Sequence, residues 1–201
     1  MRGAEFAPCL PTRGTAVPGG PDWIHEIKHD GYRLTVQREG QRVRLFTRNG
    51  HDWTDPYPLI VEAALRIQVR SFVLDGEAVL LGVDGRSDFD GLHSRQHNDE
   101  MQFYAFDVLT SDGDDLRKLP LSMRKASMAR LLARRVDGIF LSDFERGEIG
   151  PDLFRHACLM GLEGLVSKRS DRAYRSGVSP DWVKIKNPEH PAMQRVKDAF
   201  R

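Results

Sequence analysis

The residues between positions 26 and 33 carry the groups best suited to chemistry. Lys28 follows Glu26 by two positions and precedes the pair Asp30-Gly31, and Arg33 comes two positions after Gly31. A lysine amine becomes a nucleophile when its surroundings favour the uncharged form. Asp-Gly between two alternating apolar segments is also a common β-hairpin turn, beside which most lysines are solvated. The segment by itself therefore predicts either a nucleotidyl-transfer site or an ordinary surface turn.

Hydrophobic periodicity predicts the elements that must position this segment. The predicted strands cover residues 23–28, 32–36, 43–47, 72–81, 102–109, 164–168 and 182–186, and the predicted helices cover 58–69, 89–97, 121–135 and 151–160. Strands joined by short turns and interspersed with helices predict an α+β fold with mainly antiparallel sheet. A doubly wound nucleotide-binding fold is disfavoured, because the sequence contains neither of the glycine-rich phosphate-binding motifs.

The predicted helix over residues 121–135 is amphipathic. Its expected inward residues are Met123, Met128, Leu131 and Leu132. Its basic residues, with the preceding lysine, are expected to point largely outward: Lys118, Arg124, Lys125, Arg130, Arg134 and Arg135. A solvated surface is the usual role of such a charged face, and contact with a DNA duplex is the alternative.

Two other predicted strands carry unusual polar residues. The tripeptide Asp75-Gly76-Glu77 interrupts an apolar strand, which indicates either close approach by backbone or ligand, or a short hairpin turn. Lys184 and Lys186 lie two positions apart, so both should project from one face of a strand together with Trp182. This pair fits two cations aimed at a triphosphate, and it equally fits an edge strand protected by lysines.

The composition is that of an ordinary globular protein. The 201 residues include 30 Lys plus Arg against 29 Asp plus Glu, so a nucleic-acid-binding surface would have to be a local patch. Two cysteines, Cys9 and Cys158, are too few for a disulfide framework, which favours a reducing, cytoplasmic location. No apolar run approaches the roughly 18 residues of a membrane span, so no membrane partner is expected.

The ends of the chain are expected to lie outside the domain. Residues 1–21 are rich in Gly and Pro and lack periodicity, which predicts a leader without a core of its own. Residues 22–189 are expected to form one domain, within the common size range. The remaining tail, residues 190–201, is too short for a further five-stranded barrel.

Five groups of residues, in one order along the chain, together resemble the adenylation domain of ATP-dependent DNA ligases. That domain belongs to the covalent nucleotidyltransferase superfamily, which includes RNA ligases and mRNA capping enzymes. The groups are Glu26-x-Lys28-x-Asp30-Gly31-x-Arg33, Thr47-Arg48-Asn49-Gly50, Asp75-Gly76-Glu77, Phe103-Tyr104-x-Phe106-Asp107, and Glu163-Gly164-Leu165-Val166-x-Lys168 with Trp182-x-Lys184-x-Lys186. The resemblance covers nearly all of residues 22–188, and segments 23–28 and 184–188 point to bacterial ligases of the end-joining type.

The resemblance implies which residues react with ATP and bind its base. Lys28 matches the lysine that forms a covalent lysyl-adenylate and displaces pyrophosphate. Glu26 and the backbone of Ile27 match the adenine-contacting segment. Phe106 matches the aromatic residue that stacks on the purine, although an aromatic residue in such a strand is more often part of the core.

The resemblance also implies contacts to the sugar, the phosphates, the metal and the nick. Arg33 and Arg48 match residues that contact ribose and phosphate and also meet the nick. Glu77 matches a residue that serves ribose or metal, and Glu163 matches a metal-associated glutamate. The two strand lysines match those that engage the α-phosphate: Lys184 and Lys186.

The expected chemistry explains why these residue types occur together. Phosphoryl transfer depends largely on positioning and on charge neutralisation. A lysine with an ordinary pKa of about 10.4 is protonated at neutral pH, so it requires nearby positive charge or desolvation to react. We expect Arg33, Lys184, Lys186 and bound Mg²⁺, or Mn²⁺ in its place, to supply that charge. Carboxylate oxygens suit Mg²⁺, which retains waters and bridges to substrate phosphates.

The predicted function is that of the catalytic core of an ATP-dependent DNA ligase that seals nicked double-stranded DNA, with an end-joining or repair protein as a further partner. Ligases of this family continue into an OB-fold domain that orients the pyrophosphate, and residues 190–201 are expected to contain no such domain. Self-adenylation would then lack part of its electrostatic support. The alternatives are a non-catalytic nucleotide- or nick-binding remnant, and an RNA ligase or capping-type nucleotidyltransferase.

Overall fold

A computed structural model describes residues 6–193, which form two β-sheets and surrounding helices. The first sheet has the order β1-β11-β10-β2-β9 and consists of β1 (Cys9–Arg13), β2 (Trp23–Ile27), β9 (Phe144–Arg146), β10 (Gly164–Arg169) and β11 (Gly177–Lys186). The second has the order β4-β3-β5-β6-β7 and consists of β3 (Tyr32–Glu39), β4 (Arg42–Thr47), β5 (Ser71–Val79), β6 (Gln102–Ser111) and β7 (Asp114–Asp115), with β8 (Ile139–Leu141) paired to β6. The helices are α1 (Pro58–Arg66), α2 (Phe89–Ser94), α3 (Leu121–Leu131) and α4 (Gly150–Leu159), with 3₁₀ turns at Asn98–Glu100 and Gly147–Ile149.

The second sheet separates two apolar clusters. One face packs against α1, α2 and α3 in the main core, and the other faces the first sheet in a smaller cluster that includes Cys9, Tyr174 and Trp182. Because successive residues of a strand project to opposite faces, β5 places Leu74 in the main core and Val73 in the smaller cluster. The polar residues of β5 that face the first sheet therefore lie between the two sheets.

The predicted α+β fold with mainly antiparallel sheet is confirmed. Two pairings are parallel, that of β1 with β11 and that of β6 with β8, and the other strand pairs are antiparallel. Both alternatives that placed a hairpin turn at an Asp-Gly pair are wrong. Asp30-Gly31 joins strands of different sheets, and Asp75-Gly76 lies inside the continuous strand β5.

Close packing explains the glycine in both Asp-Gly pairs. A Cβ on Gly31 would lie 2.2 Å from the carbonyl oxygen of Ala78. A Cβ on Gly76 would lie 2.4 Å from both Phe103 Cζ and the carbonyl oxygen of Tyr104. The close approach predicted at Gly76 is therefore confirmed, and its cause is the neighbouring strand β6.

The expectation that the domain begins near Asp22 differs from the structure. Residues Cys9–Arg13 form β1, which runs parallel to β11, and Cys9 is 1% exposed. The local sequence gave no sign of this strand because its partner lies at the other end of the domain. At the C-terminal side, Ala192 of the predicted tail is buried. The expectations for residues 1–5 and 194–201 lie outside the described residues.

The inner face of α3 also differs from the prediction. Arg124 and Lys125 are buried beside Leu121 and Met128, whereas Met123 is 52% exposed. Arg124 makes a bidentate ion pair with Asp107, with Nε–Oδ1 and Nη2–Oδ2 distances of 2.8 and 2.9 Å. Apolar periodicity places charged residues outside, but a buried charge is tolerated when it is paired and hydrogen-bonded. None of the helices within residues 6–193 is long and apolar enough to cross a bilayer.

Candidate active site

Lys28 lies directly after β2, where the chain crosses from the first sheet to the second. Its backbone N–H donates to the carbonyl of Gly164 at 2.9 Å, and its Nζ donates to Glu163 Oε2 at 2.6 Å. Nζ of Lys186 lies 2.9 Å from the other carboxylate oxygen of Glu163. Although burial alone would raise it, these two ammonium groups lower the pKa of Glu163. One carboxylate thus joins the candidate nucleophile to a lysine of β11.

A cavity of about 350 Å³ lies beside Lys28, between the two sheets, and is here called the central cavity. Most of the predicted site residues line it: Glu26, Ile27, Lys28, Arg33, Arg48, Glu77, Phe106 and Lys184. Glu163 lines an adjoining cavity, which shares Ile27, Lys28 and His29 with the central one. Lys186 joins the site through Glu163. The tertiary structure therefore brings all ten predicted residues to one region of the molecule.

A bulge in β6 turns Phe106 toward the central cavity. Asp75 pairs with Asp107 and Gly76 with Ala105, so Phe106 is the extra residue between them. Bulges commonly re-aim a side chain next to a functional site. The Phe106 ring meets Trp182 at a centroid distance of 5.9 Å and packs in the smaller cluster. Phe106 is therefore both a core residue and a wall of the cavity.

Lys168 also lines the central cavity, although the sequence pattern assigned it no role. Its side chain is 2% exposed, and its Nζ lies 4.1 Å from the ring centroids of both Phe106 and Trp182. Such a cation over aromatic faces is favourable when it is desolvated. Burial lowers the pKa of Lys168 to about 8, the charge of Lys125 adds to this shift, and Glu26 opposes it.

The carboxylate of Glu26 lies between two buried lysines. Lys168 Nζ donates to Glu26 Oε2 at 2.6 Å, and Lys125 Nζ contacts Glu26 Oε1. Burial would raise the pKa of Glu26, but these two ammonium groups lower it. We call Glu26, Lys125 and Lys168 the buried charge cluster, and its formal charge is +1. The carboxylate predicted to contact adenine thus has strong partners within the protein.

The guanidinium of Arg33 borders the central cavity and is held in place by partners within the protein. Nε and Nη2 donate to the two carboxylate oxygens of Asp75 at 2.9 and 2.6 Å, and Nη1 donates to the carbonyl of Cys9. The Arg33 side chain is 13% exposed, and the Asp75 side chain is completely buried. Most of the positive charge expected from Arg33 is therefore balanced within the structure.

Arg48 sits at the rim of the central cavity on a tight turn after β4. Gly50 N–H donates to the carbonyl of Thr47 at 2.8 Å, and Gly50 has a φ of +82° that suits glycine. Arg48 also lines a larger cavity of about 510 Å³, which shares Arg33 with the central cavity. The turn therefore presents one exposed cation to two adjoining clefts.

The surroundings of the site shift the pKa of two further residues. Burial raises the pKa of Glu77 to about 7, against the opposing effect of Lys28 and Arg33. Burial also lowers the pKa of Lys184, and the positive charges of Lys28, Lys186 and Arg48 lower it further. Perturbed carboxyl and amine groups in one cleft are typical of functional sites.

Comparison with known proteins gives the family. A model of the ATP dependent DNA ligase domain matches residues 15–186. The chain belongs to this family. The match contains every predicted site residue, so the adenylation-domain resemblance is confirmed. The predicted classification as an ATP-dependent DNA ligase nucleotidyltransferase agrees with it.

Individual relatives agree with this family. The chain is 38% identical over 184 residues to the multifunctional non-homologous end joining protein LigD of Pseudomonas aeruginosa, covering 90% of this chain and 22% of that protein. It is 36% identical over 179 residues to a probable DNA ligase of Streptomyces coelicolor, covering 82% of this chain and 35% of that protein. The chain thus spans between about a fifth and about a third of the length of these ligase relatives.

Solved structures show the same fold. The ligase domain of LigD from M. tuberculosis has a TM-score of 0.79 and 33% identity, covering 90% of this chain and 59% of that chain. A mycobacterial DNA ligase D complexed with ATP and MES has a TM-score of 0.78 and 33% identity, covering 90% of this chain and 60% of that chain. The two sheets and the cleft between them are therefore those of a DNA ligase adenylation domain.

Proposed function

We propose that this chain is the catalytic unit of a DNA ligase and that it forms a covalent AMP adduct on Lys28. The observation that carries the proposal is the position of Lys28 Nζ at the central cavity, within 2.6 Å of Glu163 and beside Lys184 on the cavity wall. In the reaction, a bond forms between Nζ and the α-phosphorus of ATP while the bond to the pyrophosphate oxygen breaks. The ammonium group of Lys28 first releases one proton to solvent, the neutral amine releases a second as the P–N bond forms, and pyrophosphate leaves.

The ion pair between Lys28 and Glu163 must open before this attack. The nitrogen of an ammonium group has no lone pair with which to attack phosphorus. The low pKa of Glu163 makes it a poor proton acceptor, so its proposed role is to orient Lys28 and then to exchange this contact for the substrate complex. Lys184 and Lys186 would then neutralise the α-phosphate as charge develops.

We assign the other residues by their positions around the central cavity. Phe106 would stack on the purine, and the backbone of Ile27 with Glu26 would form its edge contacts. Arg48 at the rim would contact the ribose or phosphates and the nick. Arg33 would contact the ribose or phosphates through the part of its guanidinium that the ion pair with Asp75 leaves accessible. Glu77, whose pKa burial raises to about 7, is partly protonated at neutral pH and suits a hydrogen bond to the ribose or, when ionised, a metal contact.

The residues present fit Mg²⁺. Carboxylate oxygens are its preferred protein ligands, and Mg²⁺ commonly binds through one or two carboxylates together with substrate phosphates and water. Glu163 and Glu77 are the proposed ligands, and no larger group of potential ligands occurs within the described residues. Bound Mg²⁺, or Mn²⁺, would neutralise negative charge on the phosphates.

The proposed later steps use nicked double-stranded DNA. AMP passes from Lys28 to a 5′-phosphate, and the adjacent 3′-hydroxyl then displaces it. The relatives named for non-homologous end joining support a repair role with an end-joining partner protein. Both cysteines are free thiols, which supports the proposed cytoplasmic location. RNA ligase and capping activities are not favoured, because the family and the similar proteins are DNA ligases.

The test is intact-mass measurement after incubation with ATP and Mg²⁺, followed by nick sealing. We expect an AMP adduct on the native protein and on the control Lys118→Ala, which alters an exposed lysine, but none on Lys28→Ala. An adduct that survives Lys28→Ala would reject the assigned nucleophile. Thermal stabilisation by ATP without any adduct on the native protein would instead support a non-catalytic nucleotide-binding module.

A further inference from the structure

Strand β1 forms part of the wall of the central cavity and pairs with one strand of the first sheet, β11. Leu10 and Pro11 of this strand line the cavity. The strand lies at the edge of its sheet, and its register with β11 shifts between Pro11 and Thr12. Proline cannot donate a backbone hydrogen bond, and an edge strand has a partner on one side only. Contacts outside the sheet can therefore add to the support of this wall.

Side chains bind both backbone polar groups of Cys9, at the start of β1. The N–H of Cys9 donates to the hydroxyl of Tyr174 at 2.8 Å, and the carbonyl accepts from Arg33 Nη1 at 2.5 Å. Neither group is available to water, since Cys9 is 1% exposed. A buried backbone donor or acceptor without a partner is costly, so these two bonds hold the strand in place.

Asp75 connects these two bonds. The hydroxyl of Tyr174 donates to Asp75 Oδ2 at 2.8 Å, and Arg33 holds the same carboxylate from the other side. Burial raises the pKa of Tyr174, so its hydroxyl keeps the proton that this bond requires. Asp75 and Arg33 belong to the second sheet and Cys9 to the first. The network therefore fixes the separation of the two sheets at the β1 side of the central cavity.

We propose that Tyr174 is a positioning residue of the nucleotide site. Its hydrogen bond to Cys9 fixes the position of β1, and this keeps the wall of the central cavity against the bound nucleotide. The inference rests on the proposed function, because it requires ATP in the central cavity. Seating β1 also supports β11, whose Lys184 pairs in register with Arg13. Tyr174 itself lies outside the lining of the central cavity and acts through the strand.

The first test is Tyr174→Phe, with Tyr57→Phe as a matched control. Tyr57 is also buried, but it lies in the main core on the other face of the second sheet. For Tyr174→Phe we expect the ATP concentration that gives half-maximal adduct formation to rise roughly tenfold, the effect of one buried N–H left without an acceptor. The maximal rate should change less than about threefold, because the groups that touch the reacting atoms are unaltered.

Hydrogen exchange gives a readout that does not depend on activity. The backbone amides of Leu10, Thr12 and Arg13 should exchange faster in Tyr174→Phe than in the native protein, with the rest of both sheets unchanged. Tyr57→Phe should leave both the exchange of β1 and the ATP dependence as they are in the native protein.

A disulfide between Thr12→Cys and Val183→Cys supplies a rescue experiment. These positions are directly paired between β1 and β11, and neighbouring strands lie about 4.8 Å apart, which is within the span of a disulfide. Added to Tyr174→Phe, the oxidised disulfide should restore the native ATP dependence, and reduction should abolish the rescue. Recovery would show that the effect of Tyr174 is transmitted through the position of β1.

The outcomes separate this inference from the proposed function. Unchanged ATP dependence and unchanged β1 exchange in Tyr174→Phe, in a native protein that forms the adduct, would overturn the role of Tyr174 alone. A reduced maximal rate without a change in ATP dependence would also overturn it. If the native protein neither binds ATP nor forms the adduct, the proposed function fails and this inference fails with it.

Discussion

The buried charge cluster predicts an unusual increase of stability with pH. Glu26, Lys125 and Lys168 carry a formal charge of +1 while each side chain is at most 3% exposed. The ordinary pKa of Lys168 is 10.5, and burial lowers it to about 8 in the folded protein. Between these values the unfolded chain retains the proton and the folded protein has released it. The free energy of unfolding should therefore rise as the pH increases from about 8 to about 10.

The size of this effect follows from the release of one proton on folding. A single group that is protonated only in the unfolded state contributes about 1.4 kcal/mol per pH unit within its window. Cys9 acts in the opposite direction, because burial raises the pKa of its thiol and the folded protein keeps a proton that the unfolded chain loses. The net slope of the native protein mixes these contributions, so a variant is required to isolate Lys168.

Lys125→Met is the matched variant. It removes the positive charge that helps to lower the pKa of Lys168 and leaves Glu26 and Lys168 as a balanced pair. We expect the variant to be at least as stable as the native protein near pH 7, because one uncompensated buried charge is gone. This advantage should shrink by up to about 1.4 kcal/mol per pH unit between pH 8 and 10.

Urea unfolding at several pH values measures the difference directly. Both proteins are followed by circular dichroism from pH 7 to 10, and the free energies of unfolding are subtracted at each pH. Contributions from groups that do not interact with the buried charge cluster cancel in this subtraction. A difference that stays constant across the range would refute the conclusion that Lys168 loses its proton in the folded protein near pH 8.

Two further predictions concern the metal and the packing of the second sheet. Glu163→Gln should raise the Mg²⁺ concentration needed for half-maximal adduct formation roughly tenfold, as expected for loss of a charged ligand. The control Glu62→Gln, which alters an exposed carboxylate, should leave this concentration unchanged. An unchanged Mg²⁺ requirement in Glu163→Gln would remove Glu163 from the metal site. Gly76→Ala should destabilise the protein by about 1–3 kcal/mol in urea unfolding, since its Cβ would overlap Phe103 and Tyr104. Gly19→Ala, which meets only the flexible tip of Glu148, should have little effect. Equal stability of the two glycine variants would contradict the packing explanation.

The sequence predicted most elements because their periodicity is local. The helices over 58–69 and 151–160 and the strands from β3 to β6 were found within a few residues of their observed ends. Strand β1 was missed because it is short, contains a proline and pairs with a strand about 170 residues away. The partner of an edge strand is a non-local property, which no window of local sequence contains.

The candidate site also combines features that the sequence predicts with features that it does not. The resemblance to the ligase adenylation domain implied ten site residues, and the fold brings them to one region. The spacing could not show that Arg33 pairs with Asp75 or that Glu26 is held by two lysines. It also placed Arg124 and Lys125 on an outer helix face, because an amphipathic pattern counts apolar residues and cannot see a buried ion pair.

By itself, then, the sequence predicted the family, the class of reaction and the candidate nucleophile, because several short motifs in one order resemble a known family. Only the tertiary structure decided which charges are neutralised inside the protein, that Lys168 belongs to the cavity, and that Tyr174 reaches Cys9 of the first strand. Ion pairs and hydrogen bonds of this kind act over a few ångströms in space. They are therefore set by how distant strands come together, and not by the order of residues along the chain.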